Sequence, residues 1–425
     1  MRSLVAMRLL AAVVTISLLA IGACSSAQDT PEATTPLRSG SATPRVSVPQ
    51  KPDDFDSMIS VLAQYLTDSR GSSSCLAELF ALWHMPSDAT VPCASGDFDG
   101  DGEEEYVVRL TREVPEGGVV FVEGKVAIFH RVGEFYEPIT DVRDVPPAAR
   151  QPREEARANI SPSIFDVGDF NDDSRAEAAV MGSNCGAHTC TVGLSILGFE
   201  SGSYLSIIRG EGVPPSPYAS AFLAENQVWF EDTDDDGHRD LMVRQGVVNS
   251  AGAGPQREAT RTYRWDGERY TFAETKYDFS SLRYFKVRDA DEAFVRGDYR
   301  EAIALYENAI ENAALEEVES FGSKEELVAY SGLRAGLAYI QFGDAKKASD
   351  IIEETIDNYP VSLHGKAALA FRNAADLVQI GVRGSTTSGC AAVREFLMQD
   401  VSRFSEVWNY GYANPAPTPE GVCPF

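Results

Sequence analysis

Three copies of one acidic loop constrain this chain more than any other feature. Asp97-Phe98-Asp99-Gly100-Asp101-Gly102 leads to Glu105, Asp169-Phe170-Asn171-Asp172-Asp173-Ser174 leads to Glu177, and Asp232-Thr233-Asp234-Asp235-Asp236-Gly237 leads to Asp240. Counted from the first Asp of each copy, side-chain oxygens stand at positions 1, 3, 5 and 9. Ca2+ is a hard cation that takes about six to eight oxygens, and a tight loop with alternate oxygen donors wraps one. The candidate ligands are therefore Asp97, Asp99, Asp101 and Glu105, then Asp169, Asn171, Asp173 and Glu177, then Asp232, Asp234, Asp236 and Asp240. Up to three ions are expected. Clustered carboxylates repel one another, so bound Ca2+ stabilises the folded state by mass action. Bracing of the turns is the expected role, and sensing or ligand-bridging is the alternative.

The loops recur at intervals of 72 and 63 residues, each followed at once by an apolar strand candidate: Tyr106-Val107-Val108, Ala178-Ala179-Val180 and Leu241-Met242-Val243. Each copy then reaches a hairpin glycine (Gly133, Gly202, Gly267), 36, 33 and 35 residues after the first Asp of its loop. Aromatic residues follow each turn: Phe135-Tyr136, Tyr204, and Tyr270 with Phe272. Asp266-Gly267 is itself a strong hairpin signal. A similar offset between loop and turn, recurring in all three copies, marks an internal β-repeat of about 65 residues.

This repeat resembles the FG-GAP family, the calcium-loop blades of integrin-type β-propellers and related bacterial repeats. The resemblance implies the ligand set above, with a position 7 carbonyl from Glu103, Arg175 and His238. An EF-hand fits poorly, because it needs a bidentate Glu at position 12 and flanking helices, and position 12 here is Val108, Val180 and Val243. Ser174 replaces the turn glycine of the other copies, which marks the second loop as the weakest. Three copies are fewer than the four to eight blades of a closed propeller. The expected β-domain is a partial propeller or compact three-unit body with covered edges.

Two short helices, Asp56 to Leu66 and Cys75 to Trp83, precede the first loop and are expected to cap this domain. From about Phe279 the apolar period changes from two to 3.6. Ala290, Ala293, Gly297, Tyr299, Ala302, Ile303, Tyr306 and Ala309 resemble a tetratricopeptide repeat, and Gly336, Tyr339, Gly343, Ala348, Ile352 and Pro360 resemble a second. About twelve extra residues lie around Asn312 to Lys324. Further helices are expected from Leu363 to Val378 and from about Cys390 to Phe404, with 384–389 as a Gly/Ser/Thr loop. The fold class is thus multidomain, β then α: a three-unit β-repeat domain over 53–278, then a helical-hairpin solenoid over 279–425.

The N-terminus carries Arg2 and Arg8 before an apolar run from Leu9 to Ala23, long enough for a signal-peptide core and short for a membrane span. Small residues before Cys24 resemble the lipobox of bacterial lipoproteins, which implies a signal peptide over 1–23 and acylation of Cys24. An ordinary secretory leader is the alternative. The Pro/Ser/Thr-rich stretch from Cys24 to Pro52 reads as a tether. Cys75, Cys93, Cys185, Cys190, Cys390 and Cys423 form an even set, as in an exported disulfide-bonded chain. Proximity favours Cys75–Cys93, Cys185–Cys190 and Cys390–Cys423, although Cys185, His188 and Cys190 also suggest a metal-site reading.

A formal net charge of −27 argues against nucleic acid and anionic lipid as electrostatic partners. The five histidines (His84, His130, His188, His238, His364) form no metal-ligand spacing with one another, and no nucleophile elbow or phosphate loop occurs. The expectation is a non-enzymatic, lipid-anchored envelope protein that binds another protein or peptide through its helical repeats. Glycan recognition or adhesion through the β-repeats is the second reading, and an unrecognised hydrolase a distant third.

Overall fold

The computed structural model describes residues 46–71, 74–85, 92–139, 151–152, 162–185, 190–210, 219–248, 250–318, 321–375 and 383–425. Within them the chain is β-rich as far as Tyr277 and helical from Arg283 onward. The signal peptide, Cys24 and most of the tether lie outside the described residues. Among the described residues, no helix is long and apolar enough to cross a membrane.

The strands form three antiparallel meanders. The first contains β1 (Cys93–Gly96), β2 (Glu105–Glu116), β3 (Val119–Val132) and β4 (Phe135–Ile139), with the short β5 (Gln151–Pro152) paired to the far end of β3. The second contains β6 (Ser163–Gly168), β7 (Glu177–Cys185), β8 (Cys190–Glu200) and β9 (Ser203–Ser206). The third contains β11 (Ala219–Glu231), β12 (Asp240–Gln245), β13 (Ala259–Trp265) and β14 (Tyr270–Tyr277). Between the last two, β10 (Ile208–Arg209) crosses over to pair in parallel with β14, and the start of β11 pairs with β8. In every meander the acidic loop joins the first strand to the second, and the turn glycine joins the third to the fourth. Gly133, Gly202 and Gly267 all have positive φ, as a tight hairpin requires.

Period-two alternation then stacks the meanders face to face. On β2 and β3, Val107 and Ile128 point toward the second meander, where they meet Ile164, Ala178, Val180 and Leu197. Their neighbours Tyr106, Val108, Ala127 and Phe129 point the other way. The second meander uses Ala179, Leu194 and Ile196 on its opposite face against Leu241, Val243 and Tyr263 of the third. The outer face of the first meander is covered by α1 (Phe55–Ser69), through Met58, Ile59, Leu62 and Leu66, and by α2 (Ala77–Leu82). Asp54 caps α1 by accepting from the Ser57 amide at 2.8 Å. The expected Cys75–Cys93 disulfide ties α2 to β1. Cys185 and Cys190 stand opposite each other in the β7–β8 register, but their side chains and His188 lie outside the described part.

The helical region runs α3 (Arg283–Arg296), α4 (Tyr299–Glu311), α5 (Lys324–Phe342), α6 (Ala345–Asn358), α7 (Leu363–Ala374), α8 (Arg383–Met398), α9 (Val401–Val407) and α10 (Pro419–Val422). Gly297 and Gly343 end α3 and α5 in the left-handed conformation. Gly336 lets α6 approach α5, since a Cβ there would sit 2.5 Å from Ile352 Cγ1. Helix α5 is buried on every side from Leu327 to Ile340. Part of its cover is the chain's own tail: Arg334 Nη1 donates to the Gly421 and Val422 carbonyls at 3.2 and 3.1 Å, and the Cys390–Cys423 disulfide closes this arrangement.

One expectation is corrected. Residues 384–389 are not a loop but belong to α8, and the helical stretch expected from Cys390 to Phe404 is two helices, α8 and α9. Small residues here serve close packing. A Cβ on Gly389 would lie 2.6 Å from the Phe371 ring of α7, while Cys390, Val393 and Leu397 continue a buried helical stripe. Asp400 then caps α9 through the Arg403 amide.

The β and helical regions meet where the β12–β13 connection runs beside the segment after α9. Tyr412 and Ala413 amides donate to the Gly252 and Ala253 carbonyls at 3.1 and 3.2 Å, and Arg257 pairs with Asp289. Gly254 sits at this joint with φ +82°, and a Cβ there would lie 1.7 Å from the Tyr410 carbonyl oxygen. Gly267 has φ +96° with nothing within 4 Å of its added Cβ. Gly254→Ala is therefore expected to lower the melting temperature well beyond Gly267→Ala, by on the order of 2 kcal/mol more in unfolding free energy. Equal losses in thermal denaturation of the two variants would remove this joint from the account.

Candidate metal centre

Each acidic loop folds by the same hydrogen bonds. The position 1 carboxylate accepts from the position 6 amide: Gly102 to Asp97 at 2.9 Å, Ser174 to Asp169 at 2.9 Å, Gly237 to Asp232 at 3.1 Å. The position 5 carboxylate accepts from the position 7 amide: Glu103 to Asp101, Arg175 to Asp173 and His238 to Asp236, at 2.8–2.9 Å. Positions 4 and 6 take positive φ throughout, with Gly100, Asp172 and Asp235 at the first and Gly102, Ser174 and Gly237 at the second. Ser174 holds the glycine conformation at φ 69°, which for an L residue costs about 1–2 kcal/mol.

Position 9 forms the floor of each loop. Glu105, Glu177 and Asp240 are 0%, 2% and 3% exposed. Glu105 Oε2 accepts from the Phe98 amide and Glu177 Oε2 from the Phe170 amide, each at 2.9 Å, whereas the shorter Asp240 accepts from the Thr233 hydroxyl. Glu105 Oε1 is buried with no hydrogen-bond partner. Above the floor, the carboxylates of Asp97, Asp99 and Asp101 offer oxygens within 4.8 Å of one another, and so do those of Asp232, Asp234 and Asp236. The second loop replaces one of these carboxylates with the Asn171 amide.

The loops lie in a row. Ala176, at position 8 of the second loop, donates its amide to the Asp97 carbonyl at 2.7 Å, and Arg239, at position 8 of the third, donates to the Phe170 carbonyl at 3.0 Å. Tyr204 of the second meander packs under the first loop against Phe98, and Tyr270 of the third packs near Phe230, which stacks on Phe170 at 3.8 Å. The loops thus share one edge of the stack and are braced by each other's backbones.

What the sequence did not reveal is the residue across the strand ladder from each floor carboxylate. Tyr106 pairs with Phe129, Ala178 with Leu197 and Leu241 with Tyr263, so the next residues (His130, Gly198, Arg264) stand opposite Glu105, Glu177 and Asp240. Arg264 Nε lies 3.3 Å from Asp234 and 3.6 Å from Asp240, a built-in counter-charge for the third loop. His130 Nε2 lies 3.7 Å from Asp99. Gly198 presents no side chain, and a cavity of about 230 Å³ opens there, lined in part by Asn171, Asp173, Glu177 and Gly198. Only the strand register, which sequence spacing fixes to within a residue or two, could have aligned these three.

Burial, reinforced by Asp99, Asp101 and Asp97, pushes the Glu105 carboxyl up to about 7, and burial with Asp173 and Asp169 pushes Glu177 up to about 8. Both values exceed the ordinary 4.5, so the cation-free folded state holds protons that the unfolded chain releases. Its stability is full below about pH 4.5 as far as these groups are concerned and is lost as pH rises through 7 to 8. A dication bound there would replace those protons. In chelator the melting temperature is expected to fall across pH 5 to 8.5, and millimolar Ca2+ should flatten that fall. Parallel curves with and without Ca2+ would contradict the expectation.

No family model, no curated protein and no solved structure matches the chain.

Proposed function

We propose that this chain is a lipid-anchored, extracytoplasmic binding or scaffold protein whose β-region is a short stack of FG-GAP-like, propeller-type blades braced by Ca2+. The observation that carries the reading is the shared architecture of the three loops: a buried carboxylate floor, carboxylate or amide oxygens above it, and backbone links from one loop to the next. The position 1, 3 and 5 carboxylates converge in the first and third loops, and with the position 9 floor and the position 7 carbonyl that the resemblance implies they make the donor set a Ca2+ loop uses. The helical hairpins are read as tetratricopeptide-like, with a protein or peptide as partner. Since α5 is enclosed and the tail lies against Arg334, the partner surface is assigned to the outer helices rather than to a groove around α5.

Adhesion through the loop row is the second reading. It is favoured by the alignment of all three loops on one edge, where a loop-bound ion could also meet a ligand oxygen. Membrane attachment through Cys24 belongs to the same proposal, and Cys24→Ser should move the protein from the membrane to the soluble fraction.

The bracing role is tested by Asp99→Asn combined with Asp101→Asn. Each residue uses one oxygen for its turn hydrogen bond, which the amide oxygen of Asn can retain. In chelator, loss of two repelling charges should raise the melting temperature. In millimolar Ca2+, loss of two ligands should lower it relative to wild type. A change of the same sign in both conditions would contradict metal bracing.

A further inference from the structure

The three meanders carry different residues in the same slot, and the difference identifies a second kind of cation site. In the third meander the slot opposite the floor carboxylate holds the Arg264 guanidinium, which faces positions 3 and 9 of its loop, Asp234 and Asp240. In the first meander the same slot holds His130, which faces the same two positions, Asp99 and Glu105. One ligand atom from each of Asp99, Glu105 and His130 can lie within 4.8 Å of the others. We propose that Asp99, Glu105 and His130 form a mixed nitrogen–oxygen site for a first-row transition dication of the zinc class, which fixes the imidazole through which the first meander touches the second.

Three observations carry this beyond an acidic cluster. First, Glu105 is fully buried and its Oε1 has no hydrogen-bond partner. A buried charged oxygen left unpaired costs free energy, and a metal ion is a partner that would remove the cost. Second, His130 is held as a ligand would be. Its ring stacks on Phe199 at 5.2 Å, and Nδ1 lies 3.0 Å from the Tyr204 hydroxyl, which leaves Nε2 directed at the carboxylates. A hydrogen bond to the non-ligating nitrogen fixes the orientation of metal-bound imidazoles in general. Third, the 3.7 Å between His130 Nε2 and Asp99 Oδ2 exceeds hydrogen-bond length. It is close to the roughly 3.3–3.5 Å that separates two ligands of one tetrahedral Zn2+.

The nitrogen donor sets the preference. Imidazole suits Zn2+, Co2+ and related ions, while Ca2+ prefers oxygen alone. Phe199 and Tyr204 belong to the second meander, so an ion held by His130 orders the ring that joins the two stacked sheets at their shared edge. The proposal rests on the reading of the first loop as a cation site; it shares Asp99 and Glu105 with the Ca2+ ligand set, so the two ions compete there, and it differs in metal, in the His130 donor and in consequence.

The test uses the purified full chain with its disulfides oxidised, stripped with chelator and titrated calorimetrically with Zn2+ in millimolar Ca2+, alongside His130→Gln and His130→Arg. Wild type should take up one Zn2+ at least tenfold more tightly than either variant and gain thermal stability on doing so. His130→Arg copies the third meander and should match or exceed the wild-type melting temperature in chelator while losing the Zn2+ response, which separates lost binding from lost folding. Equal Zn2+ affinity in wild type and both variants, or no Zn2+ uptake by wild type, overturns the site. Zn2+ uptake that depends on His130 without any heat from Ca2+ would uphold this site and sink calcium bracing instead. Ca2+ heat without Zn2+ uptake would do the reverse.

Discussion

A carboxylate buried beneath each acidic loop is the constraint on which the β-region depends. Glu105 and Glu177 orient their loops by accepting the Phe98 and Phe170 amides, and those two aromatics are in turn buried between stacked sheets. The same charge that fixes the turn therefore sits where solvent cannot stabilise it. Burial of this kind needs a counter-charge, a proton or a metal ion. The three meanders differ at the position across from that carboxylate: Arg264 in the third, His130 within reach in the first, and Gly198, with no side chain, in the second.

The stacking follows from period two in strands whose residues are apolar on both faces. Ala178 and Val180 face one neighbour while Ala179 faces the other, so the middle meander is buried on both sides. The end meanders need other cover. Helices α1 and α2 supply it for the first, with Cys75–Cys93 holding α2 against β1. At this end of the stack, helices take the place of a further sheet. The helical region is joined through the Gly252–Gly254 connection, where only glycine fits against the Tyr410 carbonyl.

Much of this was legible in the sequence because it is local. The acidic loops, the strands after them, the turn glycines and the switch to helical periodicity all depend on residues close in the chain. Ser174 could be singled out as a misfit from its place in the repeat, and it does hold the left-handed conformation. Less local features were hidden. The 384–389 stretch reads as a loop by composition, yet it packs as helix because Gly389 admits the Phe371 ring. The partnership of His130 with Asp99 and Glu105 depends on the β2–β3 register and on Phe199 and Tyr204 of another meander. Spacing alone could not place a lone histidine beside a loop about thirty residues away. Enclosure of α5 by the chain's own tail likewise arises from contacts across some ninety residues.

The most direct measurement of the central claim is proton release on Ca2+ binding. Calorimetric titration of the chelator-stripped chain at pH 7 in two buffers of different ionisation enthalpy measures it. If protons occupy the floor carboxylates until a cation displaces them, the apparent binding heat will differ between buffers in the direction of proton release. Absence of any binding heat, or a heat identical in the two buffers, would contradict the account.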